Sequence, residues 1–345
     1  MKKIAIFSTC LGLASALFGA EAQTVSTAIA PEAVKSEALQ FRSFSILDEN
    51  DLGFSDRYYT NGLKFQYTEL GDDWWASWAQ FEFLKLFVPD GRQAFQSAAL
   101  GQNMYVSSNI NIVNPAPTDH PYSGYLYLAC GAHLASETRM DSFAINLGIV
   151  GPQSFAEQTQ TTYHDIIGAD KPEGWHTQLQ DEPGVVVAYN HAERLFKYKF
   201  SQGLGTDVIA SAGVNLGNVM TDARVKGLWR IGYNMPNSFD ISRIDYSMAG
   251  DPQWLDGAAP ASWHLYFYGG ALARFVAYDI ALNGNTWRQN PSVTPEPIVG
   301  EFSAGMSARY ERVQFDLTWN VQTKSFDTQE FTPFIFWSAA VRIFF

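Results

Sequence analysis

The chain has 345 residues, 46% hydrophobic, 15% aromatic and only 17% charged, with a formal charge of −12. This composition excludes a disordered, collagen-like or coiled-coil protein. The acidic balance and the lack of any basic run exclude a nucleic-acid partner, which would need a positive surface.

Residues 1–22 read as an export signal. Lys2 and Lys3 form a positive start, Ile4 to Gly19 an apolar core, and Ala20-Glu21-Ala22 a small-residue cleavage site. Cys10 lies within that segment and leaves Cys130 alone in the mature chain, so no internal disulfide is expected. Residues 23–345 then form a single domain. No later window is apolar for long enough to be a transmembrane helix.

The mature chain alternates with period two. Tyr59, Asn61, Leu63, Phe65 and Tyr67 oppose Thr60, Gly62, Lys64, Gln66 and Thr68. Phe143, Ile145, Leu147 and Ile149 line one side of the next clear example, and Val313, Phe315, Leu317, Trp319 and Val321 that of another. Strands are expected near 39–47, 57–69, 97–107, 122–134, 138–150, 184–198, 205–217, 218–233, 262–283, 298–311, 312–325 and 331–345. A soluble sandwich would alternate too. These strands, however, are long enough to cross a bilayer at a tilt, and aromatic residues gather at their ends. The last strand ends on Phe345, in the manner of the signal read by the outer-membrane assembly machinery. The fold expected is all-β: a twelve-stranded antiparallel transmembrane β-barrel, closed so that no edge or backbone group is left unpaired in lipid.

With both termini in the periplasm, the outer connections fall near 48–56, 108–121, 151–183, 217, 284–297 and 326–330. The third is long, and Phe155 to Gly168 has no internal Gly or Pro, which suits a short helix on the rim. Two periplasmic stretches, 70–96 and 234–261, are long without an evident reason. The outer connections collect polar groups: Asp48-Glu49-Asn50-Asp51, then Asp56 with Thr60 on its polar, lumen-facing row, then His120, and then Gln160, His164, Asp170 and Glu182. His133, His191 and His264 fall in strands and read as barrel residues. His176 and Glu182 read as braces of the long loop. Cys130 falls on the lipid face, so a zinc cage of His and Cys is not expected.

These blocks resemble the outer-membrane lipid A 3-O-deacylases, the LpxR family. The resemblance rests on Glu49-Asn50-Asp51, on Asp56-Arg57 with Tyr59-Thr60-Asn61-Gly62-Leu63, and on Gln102 with Met104-Tyr105. It continues through Pro121-Tyr122-Ser123-Gly124, Gly151-Pro152, Gln160, His164, Gly174-Trp175 and Gln178-Leu179 with Glu182-Pro183. It implies a barrel that hydrolyses the 3-O-linked acyl ester of lipid A with Ca2+ as cofactor, a histidine activating water and the metal holding the oxyanion. Carried over, His164 matches the catalytic histidine, with Asn50 and Thr60 beside it, and Asp51 and Asp170 are the expected metal ligands. The chain departs from the family where a basic residue is usual in the second outer loop, since Ser107 to Pro117 has neither Lys nor Arg.

The expected partners are therefore lipid A or lipopolysaccharide as substrate, and outer-membrane lipids as solvent. The alternatives are a non-enzymatic barrel, porin or structural, and a phospholipid esterase on the same scaffold.

Overall fold

The computed structural model describes residues 41–51, 56–70, 92–253 and 261–345. The export signal expected at 1–22 lies outside the described residues, as does most of the long periplasmic stretch expected at 70–96. Twelve strands are found among them: β1 Arg42–Asn50, β2 Tyr58–Leu70, β3 Gln93–Val106, β4 Ser123–Ala135, β5 Arg139–Val150, β6 Glu182–Lys199, β7 Leu204–Gly217, β8 Met220–Tyr233, β9 Trp263–Asp279, β10 Ile298–Tyr310, β11 Val313–Gln322 and β12 Phe334–Phe344. All neighbours pair antiparallel, and β1 joins β12 from Ser43↔Phe344 to Asn50↔Trp337, closing the barrel. Strand positions follow the alternation closely. The expected ninth strand stops at Asp279, whose side chain accepts from the Ala281 N–H and caps a short helix, Ile280–Asn283.

The alternation is inverted relative to a soluble protein. On β11, Gln314, Asp316, Thr318 and Asn320 are buried, whereas Phe315 and Leu317 are exposed. The same rule exposes Leu100, Leu128, Leu147, Val187, Phe302 and Val341 around the outside, a belt that only lipid can cover. Cys130 is exposed on that face, as expected. No helix among the described residues is long and apolar enough to cross a membrane; this barrel crosses with its strands.

The long connection between β8 and β9 turns out to fill the lumen. Its side chains and carbonyls meet inward-facing residues from strands on every side. Ser242 donates to Asp316 of β11 at 2.7 Å, and Asn146 of β5 donates to the Tyr246 carbonyl at 3.0 Å. Ser45 of β1 donates to Asp251 at 2.7 Å, and Arg194 of β6 to the Ser238 carbonyl at 3.0 Å. Asp240, Asp245 and Asp251 pair with Lys226, Arg224 and Arg342 of the wall. Buried charges persist only when paired in this way. A charged cavity of ≈ 170 Å³ remains beside this plug, lined among others by Glu49, Arg224, Arg243, Arg274 and Asp279.

Candidate functional site

The connection between β5 and β6 folds against the outer surface of the wall. It leaves β5 through Gly151, at φ 99°, and a single 3-10 turn, Pro152–Ser154. Helix α1, Ala156–Ile167, follows and ends at Gly168 in the left-handed conformation, whose N–H bonds the His164 carbonyl. A residue without a side chain is what that helix end requires. Within α1, Ala156, Gln160 and His164 recur every four residues and form its buried face.

That face rests on the outward row of β3, because Gln102, Met104 and Val106 continue the row of exposed Leu100 and yet are buried. Met104, Val106, Ile110, Tyr122, Ala156 and Trp175 form a small core between wall and loop. At about 1.5–3 kcal/mol for each large apolar side chain removed from water, this core is enough to hold the loop in one position. Gly124 of β4 permits the close approach. A Cβ there would sit 2.2 Å from Ser154 Oγ and 2.3 Å from Ala156 Cβ.

Thr60 reaches the same outer side through an irregularity in β2. The pairing of β2 with β3 slips between Tyr59 and Asn61. Tyr59 stays luminal, donating to Glu49 at 3.0 Å, and Thr60 is released toward the helix, where it accepts from Gln160 Nε2 at 3.5 Å. Thr60 is thus not on the lumen-facing row that strict alternation assigns to it. A bulge adds one residue to one strand and re-aims its side chain.

His164 is 3% exposed. Its Nδ1 lies 2.5 Å from the Asp170 carbonyl oxygen. A carbonyl can only accept, so Nδ1 carries a proton, and in the neutral ring Nε2 is the acceptor. Nε2 faces Asp56 Oδ2 at 3.5 Å. Asp56 in turn accepts from the Thr60 hydroxyl at 2.9 Å, and Asp51 Oδ1 lies 3.5 Å from the same hydroxyl. The Arg57 N–H donates to Asp51 Oδ2 at 2.7 Å. Burial, followed by the nearby charge of Asp56, pushes the Asp51 carboxyl well above the usual range despite that N–H. Trp175 Nε1 donates to Gln160 Oε1 at 2.8 Å and fixes which way the amide points.

The structure therefore gathers His164, Thr60 and Asp51 of the expected set. Asp170 enters differently: its main-chain carbonyl orients His164, while its side chain is exposed. Asn50 pairs in register with Asn61 and Trp337 on the outward row of β1, one residue before Asp51. Asp56, named in the sequence only as one of the outer polar groups and in the Asp56-Arg57 block, joins the expected set at the site, where it faces both Thr60 and His164. Glu182 braces the loop as expected, accepting from Asn218, Asn285 and the Thr286 N–H. His176 bonds Asn114 at the loop surface.

For a divalent cation, the donor set is two carboxylates, Asp51 and Asp56, about one hydroxyl. These are hard oxygen ligands of the kind calcium takes, with positions left for main-chain oxygens, water or substrate. Among the described residues no three His, Cys, Asp or Glu side chains come together as a ready-made cage.

A closed, lipid-belted barrel with a polar cluster on its outer wall is a bacterial outer-membrane protein. The family model described as "Outer membrane protein LpxR" matches residues 7–342, and the chain belongs to that family. Its fold is similar to that of LpxR from Salmonella typhimurium, with a TM-score of 0.71 at 19% identity, covering 88% of this chain and 100% of the other. The translocator domain of the autotransporter NalP from Neisseria meningitidis aligns at a TM-score of only 0.38 and 8% identity, over 89% of this chain and 88% of the other. No curated protein matches the sequence.

Proposed function

We propose that the protein is a calcium-dependent esterase of the outer leaflet, removing the 3-O-linked acyl chain of lipid A, with its site at the extracellular rim. The observation that carries this reading is the tautomer of His164. With Nδ1 held by the Asp170 carbonyl, Nε2 is free to take a proton from water. Asp56, 3.5 Å away, stabilises the imidazolium that results. Thr60 orients Asp56, and the Trp175–Gln160 pair orients Thr60. The proton returns from Nε2 to the leaving sugar oxygen as the acyl bond breaks. Asp51, with Asp56 and Thr60, would hold the calcium ion, which when bound would supply positive charge to an ester carbonyl oxygen.

Two further features support the reading. The site lies against the outward side of the wall, the side from which an acyl ester of the outer leaflet would approach, and Asp56 is its part-exposed member. The part of the β8–β9 connection tied to the wall inside the lumen weighs against a porin. The LpxR family, to which the sequence blocks also point, supplies the choice of lipid A.

The test is a deacylation assay in detergent micelles, with lipid A and a glycerophospholipid offered in parallel and the products read by mass spectrometry. Lipid A is expected to lose the mass of its 3-O chain with calcium present, and to stay intact with chelator or with His164→Ala. Cleavage of the phospholipid alone would replace the substrate and keep the chemistry. No cleavage of either by a folded barrel would end the esterase reading.

A further inference from the structure

Helix α1 has two unlike flanks beside its buried face. At 100° per residue, Glu157, Thr161 and Asp165 fall in line on one side, and Phe155, Tyr163 and Ile166 on the other, with Ile167 next to them. The polar flank stays exposed and is tied to its own loop: Gln178 donates to Glu157 at 3.4 Å, and Lys171 pairs with Asp165 at 2.9 Å. The apolar flank is left open. Ile166 is 77% exposed, and Phe155, Tyr163 and Ile167 are exposed as well. Three such side chains on a helix of twelve residues, with Phe155 immediately before it, would be costly in water.

The same helix lies on the outer wall, directly above the lipid belt. The outward rows that α1 and its 3-10 turn cover at Gln102 on β3 and Gly124 on β4 continue downward into exposed Leu100 and Leu128. The helix that carries the apolar flank is thus seated on rows that run on into an existing lipid-facing surface.

We propose that α1 is an interfacial helix, with Phe155, Tyr163, Ile166 and Ile167 set among the acyl chains of the leaflet surrounding the barrel. An amphipathic helix lying in the membrane plane sinks its apolar face about 5–10 Å into the headgroup–acyl boundary. Its polar flank and the loop tied to it then stay in the headgroup layer. His164, on the face between the flanks, sits at the level where ester bonds join chains to headgroups. The occupant of the patch is hydrocarbon of the surrounding leaflet, and the inference holds whether or not an ester is cut.

The test uses full-length protein in vesicles of brominated phospholipid, with a thiol-linked fluorophore at one position at a time. Cys130, on the belt, serves as the membrane standard. In a Cys130→Ser background, Ile166→Cys places the probe on the apolar flank and Glu157→Cys on the polar one. The Ile166 probe is expected to be quenched by bromolipid to the same fraction as the Cys130 probe, and the Glu157 probe to be quenched by aqueous iodide instead. Iodide quenching of both helix probes alike would overturn the proposal. So would bromolipid quenching of both, since the flanks would then not differ. Folding of each variant is checked by the heat-dependent gel mobility of the barrel, and Tyr163→Cys repeats the measurement one turn away. Loss of ester hydrolysis in the wild type would leave this result standing, because quenching reads depth and not chemistry.

Discussion

Strands β1 and β2 carry two polar clusters that lie one residue apart in sequence and on opposite sides of the wall. Inside, Glu49 accepts from Arg243 Nε at 2.6 Å, the Ile244 N–H at 3.0 Å, Ser338 at 2.9 Å and Tyr59 at 3.0 Å. Arg243 also pairs with Glu301 and donates to Asn320 at 2.8 Å. Outside, Asp51 and Thr60 belong to a set with fewer donors, in which His164 and Asp56 face one another at 3.5 Å. In the luminal cluster Arg243 bridges two carboxylates and the groups around it are hydrogen-bonded, as a structural tie between plug and wall must be. The outer cluster holds acceptors in excess of donors, which suits a place where a proton, a cation or a substrate arrives. Charge density alone does not separate structure from chemistry; the balance of donors against acceptors does.

The sharpest way to break this comparison is to remove one group from each side. His164→Ala is expected to lower hydrolysis by about 10²–10⁴-fold, the usual span for a general base, while the barrel keeps its resistance to denaturant. Arg243→Ala should do the reverse. It strands Glu49 and Glu301 in the lumen and costs about 3–5 kcal/mol, read as an earlier urea midpoint. Restoring stability by also replacing Glu49 and Glu301 with leucine would show that the loss came from unpaired charge.

A smaller effect is expected at the seam between loop and wall. Gly124→Val overfills the contact with Ser154 and Ala156, a cost of about 1–3 kcal/mol. Here the loss should fall on hydrolysis and on protease resistance of residues 151–181, with barrel stability little changed.

The last effect concerns pH. His120 stacks on Tyr105 with ring centroids 5.6 Å apart, and burial lowers its pKa to about 4. The unfolded chain, with an ordinary histidine near 6.5, binds the proton more readily between these values. Its contribution to stability is therefore whole above about pH 6.5 and declines as pH falls toward about 4. Denaturation midpoints across that range should fall less steeply for His120→Phe than for the wild type.

Much of the barrel is legible in its residues, for reasons that differ by element. Lipid inverts the pattern of a strand without blurring it, so period two locates the strands from Tyr59 to Tyr67 and from Val313 to Val321. The helix in the long loop is readable from a run free of Gly and Pro, and His164 from its company of loop residues. Strict alternation puts Thr60 on the wrong side because a bulge is a pairing event: one extra residue is visible only against the partner strand. The carboxylate of Asp170 draws attention, whereas a main-chain carbonyl has no letter in the sequence.

The plug shows the same limit on a larger scale. Arg243, Asp245 and Asp251 read as an ordinary charged loop, since their partners are scattered over β1, β8, β10 and β12. The class of fold is written in the order of residues alone, because an alternation of apolar and polar side chains is a local property imposed by the two solvents of a barrel wall. Which side of the wall holds the site, and what fills the lumen, emerge only in three dimensions. Those outcomes depend on strand register and on charges meeting from distant parts of the chain, and closure of the barrel is what brings them together.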